Sequence, residues 1–306
     1  MQAFGYDHNG GPDVFTEYDV PTPTLKDTDI LIQTEVFGLN NFERSQRAGV
    51  FGETNKQIIP GRDVAGVVKS VGSEVSKFKP GDRVVAHGHH AYAEFATSSE
   101  ANTVRLPENV SFEDAAAVVT AGITAYKTLH FFGNVQSGQT VIVKGASGGV
   151  GSVAAQLAEG LGAHVIGIGS SKNADYVKSL GVSEYVAYDQ DSPAEVLKDK
   201  ADVVINSAMN GAGGDEDVAM VKPNGVIASV AMDEPETTKP ITFKHVSPTS
   251  EISDATALQD IVDLMADNKL SIKIGNVLPF SLSGVQKGHQ ILEEPHDGRV
   301  IISKNA

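Results

Sequence analysis

The run from Thr140 to Leu161, TVIVKGASGGVGSVAAQLAEGL, leaves few folds open to this chain. A short apolar strand (Val141, Ile142, Val143) meets a glycine-rich turn that opens directly into a helix. Val150, Val153, Ala154, Leu157, Ala158 and Leu161 then fall on one helical face. Glycine lets a backbone approach a pyrophosphate, and a helix start offers unpaired N–H groups and the positive end of a dipole. Between a strand and a helix, this turn is the phosphate-holding element of a dinucleotide-binding fold. Its spacing reads Ala146-x-Gly148-x-x-Gly151, with alanine in the first glycine position. Alanine is compatible with the turn as long as its φ is negative. The same residues would also suit a tight turn that only packs. Gly148, Gly149 and Gly151 weaken a helix start, however, and so call for a compensating role.

The surrounding pattern extends this unit in both directions. From about Ala116, strand candidates at 140–144, 163–168, 184–188, 201–206, 225–231 and 241–246 alternate with helical stretches near 150–161, 173–180, 192–199 and 215–221. Such alternation is the signature of a doubly wound parallel sheet. The first third reads as β-rich instead, with strands at Asp29–Val36, Val64–Val71 and Arg83–Ala86 separated by turns such as Pro60-Gly61 and Lys79-Pro80-Gly81-Asp82. Ser111 starts a capping-box-like Ser-x-x-Asp segment. An amphipathic helix follows at Ser253–Asn268, then another near 283–294 and a final strand at Arg299–Ser303. The expected division is 1–115, completed by 250–306, and 116–249.

Composition narrows the partners. The formal net charge of −15 argues against a nucleic-acid or anionic-membrane binder, so an anionic cofactor needs a local site against an adverse field. No apolar run approaches about 18 residues, and the opening MQAFGYDHNGG has no basic-then-apolar leader pattern. Absence of cysteine excludes disulfides and thiolate metal ligands, and fits a cytoplasmic setting.

The second strand of the parallel sheet decides which dinucleotide is favoured. An acidic residue at its end would bind the ribose 2′-hydroxyl of NAD. Here the strand runs into Gly169-Ser170-Ser171-Lys172-Asn173, with no Asp or Glu. A carboxylate about 5 Å from a 2′-phosphate would cost roughly 3 kcal/mol per charge pair at an effective dielectric near 20. Its absence, with Ser170 and Ser171 as small donors and Lys172 as a cation, points to NADPH. The alternative is that Ser171 caps the next helix and Lys172 is solvated.

On these and further motifs the chain resembles the medium-chain dehydrogenase/reductase superfamily, in its zinc-independent quinone oxidoreductase branch. The motifs are Gly38-Leu39-Asn40, Arg47-Ala48-Gly49, Pro60-Gly61-Arg62-Asp63-Val64-Ala65-Gly66, Phe78-Lys79-Pro80-Gly81-Asp82-Arg83-Val84, Ala91-Tyr92-Ala93-Glu94 and Gly122-Ile123-Thr124-Ala125-Tyr126. The resemblance implies an α/β chain: a GroES-like, partly open β-barrel with a Rossmann domain inserted, and a homodimer formed through the nucleotide domains. It implies that Ser147, Gly148, Gly149 and Val150 hold the pyrophosphate and that Tyr188 meets the adenosine end. It also implies that Asn40 and Thr124 lie near the nicotinamide, as amide and hydroxyl donors. Turn capping (Asn40), helix filling (Thr124) and strand termination (Tyr188) are the competing roles. Zinc relatives carry a histidine where Arg62 stands, and cysteines that are missing here, so no metal is expected. His87, His89 and His90 form a cluster more suited to a solvated loop than to a metal. Arg299 reads as surface and Tyr92 as barrel packing.

Quinones and α,β-unsaturated carbonyls need orientation and hydrogen bonding more than a Lewis acid. The expected activity is therefore NADPH-dependent, metal-free reduction of a small quinone or enone. The alternatives are a 2-alkenal or enoyl reductase, which must protonate carbon, and a catalytically silent NADPH-binding sensor.

Overall fold

Strands form in the N-terminal third wherever apolar residues face one side. The computed structural model of the protein describes residues 1–306, the side chain of Asn210 excepted. In chain order the elements are β1 (Gln2–Gly5), β2 (Thr16–Asp19), β3 (Asp29–Leu39), α1 (Asn41–Arg47), β4 (Asp63–Val71), β5 (Arg83–His87), β6 (Phe95–Ser99) and β7 (Thr103–Arg105). β3, β4, β5 and β7 pair antiparallel in that order, and β6 pairs with β3. β1, β2, α1, β6 and β7 have no counterpart in the sequence pattern, because runs this short carry almost no periodicity. The inward faces of the longer strands supply Ile30, Ile32, Phe37, Val64, Val84 and Ala86 to one core. Phe37 stacks on Tyr92 at 4.7 Å between ring centroids, so Tyr92 packs the core as expected.

Helix α2 (Phe112–Lys127) starts where Ser111 marks it. The Ser111 hydroxyl accepts the Asp114 N–H (3.0 Å) and donates to the Asp114 carboxylate (2.6 Å). The chain divides within α2: Met1–Thr120 with Ser253–Ala306 make one unit, Ala121–Ile252 the other.

The second unit alternates β8 (Thr140–Lys144), α3 (Gly149–Gly160), β9 (His164–Gly169), α4 (Ala174–Ser179), β10 (Glu184–Ala187), α5 (Pro193–Val196), β11 (Ala201–Asn206), α6 (Gly214–Met220), β12 (Val221–Ser229) and β13 (Thr242–His245). All six strands are parallel, in the order β10-β9-β8-β11-β12-β13. Counted within this unit the order is 3-2-1-4-5-6, the doubly wound dinucleotide-binding arrangement. Two elements of this unit differ from their expected spans by three residues or more. α5 is a single turn: the backbone leaves helical geometry at Leu197 (φ −108°), and Asp199 then takes φ +52°. β12 starts four residues earlier than expected; Asn224 at φ +65° lies inside it, and its pairing with β11 shifts between Ala201 and Val203.

Two glycines of the turn after β8 are sterically required. Gly145 takes φ +72°, so the left-handed step falls there and leaves Ala146 out of it. A Cβ on Gly151 would stand 2.1 Å from the Gly145 carbonyl oxygen, a collision with backbone that only glycine avoids. α3 therefore sits close to the turn.

The chain then completes the first unit with α7 (Asp254–Ala266), β14 (Ile274–Pro279), α8 (Leu282–Glu293) and β15 (Arg299–Ser303). β15 pairs antiparallel with β3 and parallel with β14, adding Val300 and Ile302 to the same core. Replacing Gly151 by Ala forces the turn apart; a loss of about 1–3 kcal/mol in denaturant unfolding is expected, against no comparable loss for Gly160→Ala, where a Cβ meets nothing.

Candidate active site

In the second unit, the loops at the C-terminal ends of β8 and β9 are tied to each other. The Gly145 carbonyl accepts the Gly148 N–H (2.9 Å), and Gly148 caps α3 with extended backbone. Asn173 Nδ2 donates to Ser147 Oγ (2.9 Å) and to Ser170 Oγ (3.3 Å). One amide thus brings Ser147 and Ser170 together, a joint with no local sequence signal. Tyr185 donates its hydroxyl to the Ser170 carbonyl (2.6 Å), and burial, then Asp189 and Tyr188, push its pKa up to about 12. Gly148 and Lys172 are exposed, Gly149 and Val150 half-buried, and Tyr188 is 60% exposed.

At Ser171 the structure departs from the sequence reading. Local spacing leaves the end of β9 without a carboxylate, yet one arrives from the neighbouring strand. Ser171 donates its N–H to Asp189 Oδ1 and its hydroxyl to Asp189 Oδ2, both at 2.7 Å. These bonds hold the Asp189 carboxyl below the usual carboxylate range, the hydroxyl bond contributing most. Asp189 was invisible to spacing because it lies in the turn after a different strand, β10.

A buried polar group closes the other side of these strand ends. Lys144 Nζ, at the end of β8, contacts the Ala212 and Gly213 carbonyls, Glu216 and Asp217, each at 3.0 Å. Asn206 Nδ2 donates to Asp217 Oδ2 (2.6 Å). Burial pushes the Asp217 pKa up to about 6, with Lys144 opposing it. This group pins the segment leading into α6 against β8 and β11.

In the first unit, Asn40 belongs to a buried charge network. Its Nδ2 donates to Asp63 Oδ2 (3.0 Å) and its Oδ1 accepts from the Arg299 guanidinium (2.6 Å). Thr120 donates its N–H (3.3 Å) and its hydroxyl to Asp63. Arg299 also donates Nε to the Ala117 carbonyl (2.9 Å) and stands 3.5 Å from Asp63. The expectation that Arg299 is a surface residue is therefore wrong: its side chain is 14% exposed and bonds inward. A single arginine in a strand pattern carries no sign of which partners the sheet will bring. Asn40 also caps α1, its backbone N–H donating to Glu43 (3.1 Å). Glu43 is fully buried, and burial first, then the Asp63 charge, push its pKa up to about 8.

Thr124 is half-buried on α2, its carbonyl accepting the Thr128 hydroxyl (2.7 Å). The three histidines of the sequence cluster part company. His87 meets Asp254 (2.6 Å), His90 meets the Ile59 carbonyl (2.9 Å), and burial, then the charges of His90, Arg62 and His87, depress the His89 pKa. Among the described residues, no three His, Asp or Glu side chains converge as a metal-binding group, and no helix is long and apolar enough to cross a membrane.

Glu43 gives this network a pH signature. Between about pH 4.5 and 8 the folded chain keeps a proton on Glu43 that the unfolded chain has lost, so stability falls as pH rises through that window. Glu43→Gln should remove that decline, gaining on the wild type by at most about 1.4 kcal/mol per pH unit in unfolding measurements. Parallel pH profiles for the two proteins would contradict it.

Two family models match the chain: the alcohol dehydrogenase GroES-like domain over residues 26–109 and the zinc-binding dehydrogenase over 149–258. A chloroplastic quinone-oxidoreductase homolog from Spinacia oleracea is 32% identical, over 99% of this chain and 98% of its own. A 2-methylene-furan-3-one reductase from Solanum lycopersicum is 32% identical, over 99% of this chain and 79% of its own. Among solved structures, a mycobacterial protein complexed with NADPH aligns with a TM-score of 0.86 at 25% identity, covering 99% of this chain and 100% of that one.

Proposed function

Since the chain belongs to the quinone oxidoreductase branch of the medium-chain dehydrogenase/reductase superfamily, we propose that it is an NADPH-dependent, metal-free reductase of quinones or related α,β-unsaturated carbonyls. The observation that carries this reading is the turn after β8. It combines a left-handed Gly145, a Gly151 with no room for a Cβ, and a helix start of exposed or half-buried residues, at the centre of a 3-2-1-4-5-6 sheet. These residues fit a dinucleotide. NADPH, when bound, supplies the reducing equivalent from its nicotinamide.

The chain's own groups have defined tasks in this reading. Ser147, Gly148, Gly149 and Val150 cradle the pyrophosphate; Gly149 and Val150 offer neutral helix-start N–H donors, which suits an acidic protein, while the Gly148 N–H is spent on the Gly145 carbonyl and shapes the turn. Ser170, Ser171 and Lys172 meet the 2′-phosphate, and the exposed Tyr188 ring meets the adenosine end. Asn40 and Thr124 orient the acceptor carbonyl as hydrogen-bond donors. Asp63 and Thr120 on the nitrogen side and Arg299 on the oxygen side hold the Asn40 amide, so its rotation is fixed. A homodimer joined through the nucleotide units and a cytoplasmic location belong to the same reading.

A second reading, an enone or alkenal reductase that delivers a proton to carbon, is favoured by the 2-methylene-furan-3-one reductase relative. Turnover on a panel of quinones, alkenals and 2-enoyl thioesters separates the two; a protein that binds NADPH tightly and reduces none of them is a sensor instead. Lys172→Ala should raise the KM for NADPH about tenfold or more while leaving that for NADH within about twofold. Equal effects on both coenzymes would remove Lys172 from phosphate recognition. Asn40→Ala should lower kcat/KM for the best acceptor by about ten- to a hundredfold; an unchanged value would exclude Asn40 from the active site.

A further inference from the structure

Asp189 occupies the donors at the end of β9. β10 runs parallel to β9 with Ala187 opposite Gly169, so the residues after Ala187 travel beside those after Gly169. Tyr188 continues the ladder by donating its N–H to the Gly169 carbonyl (3.1 Å). Asp189, next in line, takes the Ser171 N–H on one carboxylate oxygen and the Ser171 hydroxyl on the other, both at 2.7 Å. A serine has only these two donors. Both go to an anion, in a two-point, charge-assisted contact.

We propose that Asp189 is an internal stand-in for the 2′-phosphate, occupying Ser171 in the coenzyme-free protein and setting the balance between phosphorylated and unphosphorylated coenzyme. The inference rests on the nucleotide reading of this loop and adds the residue that opposes it. A 2′-phosphate carries close to two negative charges and has acceptor oxygens. It cannot share the Ser171 donors with a carboxylate, and the two anions repel at contact range. Asp189 must therefore swing away before the phosphate docks, while Lys172, the next residue along, attracts the incoming group. An unphosphorylated ribose behaves differently. Its 2′-hydroxyl can donate to Asp189 and leave the Ser171 contact in place.

Asp189→Asn separates charge from shape: the amide oxygen still accepts from Ser171, but the repulsion is gone. Asp189 is exposed, so the variant should unfold at the wild-type midpoint. Calorimetric titration with 2′,5′-ADP and with 5′-AMP reads the effect on binding alone. D189N should tighten 2′,5′-ADP about tenfold or more, with 5′-AMP unchanged or weaker, and Asp189→Ala should act in the same direction. Ser171→Ala should weaken 2′,5′-ADP severalfold or more. An affinity ratio in D189N equal to that of the wild type overturns the stand-in while leaving the nucleotide site intact. If the wild type binds neither probe nor NADPH, the nucleotide reading fails and this inference falls with it.

Discussion

A carboxylate sealed from water, that of Asp63, holds the first unit to its chemistry. Burying a charge is costly unless donors surround it, and here they come from separate stretches of chain. Thr120 on α2 supplies two donors, Asn40 ahead of α1 a third, and the Arg299 guanidinium on β15 stands at 3.5 Å. The last strand is thereby bound to the first third of the chain by charge as well as by its ladder to β3. The arrangement has an electrostatic consequence next door. Glu43 shares the same dry interior, and the ionised Asp63 adds to the burial that favours its neutral form. Glu43, which accepts the Asn40 N–H, is pushed toward its protonated form.

The second unit solves a different problem, that of receiving an anion on a protein of net charge −15. Lys144 lies at the end of a central strand but is consumed by Glu216, Asp217 and two carbonyls. What the turn after β8 presents is backbone N–H, made approachable by the Gly145–Gly151 contact. Neutral dipoles of this kind bind phosphate without the repulsion and desolvation that clustered lysines bring. At the end of β9 both Ser171 donors are taken by the chain's own Asp189, the carboxylate that the proposed coenzyme phosphate would have to displace.

Legibility followed element length and the range of the interactions. β8, β11 and β15 span the residues that the sequence pattern assigns them, Ser253 and Ser281 cap helices that the pattern also locates, and Ser111 caps the helix its Ser-x-x-Asp start announces. These elements are strongly patterned and locally consistent. Three- and four-residue strands such as β7 and β1 exist because a neighbouring strand offers them a ladder, which no window along the chain can register. The three histidines are neighbours in sequence alone, since the His87 ring meets Asp254 and the His90 ring the Ile59 carbonyl.

The chain's own order of residues thus determined where helices and parallel strands form, that a glycine turn joins β8 to α3, and which serines and lysine follow β9. Those properties depend on neighbours a few positions apart. Tertiary structure alone decided that Asp189 sits on Ser171, that Arg299 turns inward to Asn40, and that Lys144 is neutralised within the fold. Each of these depends on strand register and sheet order, which are settled by packing between distant segments and have no local period.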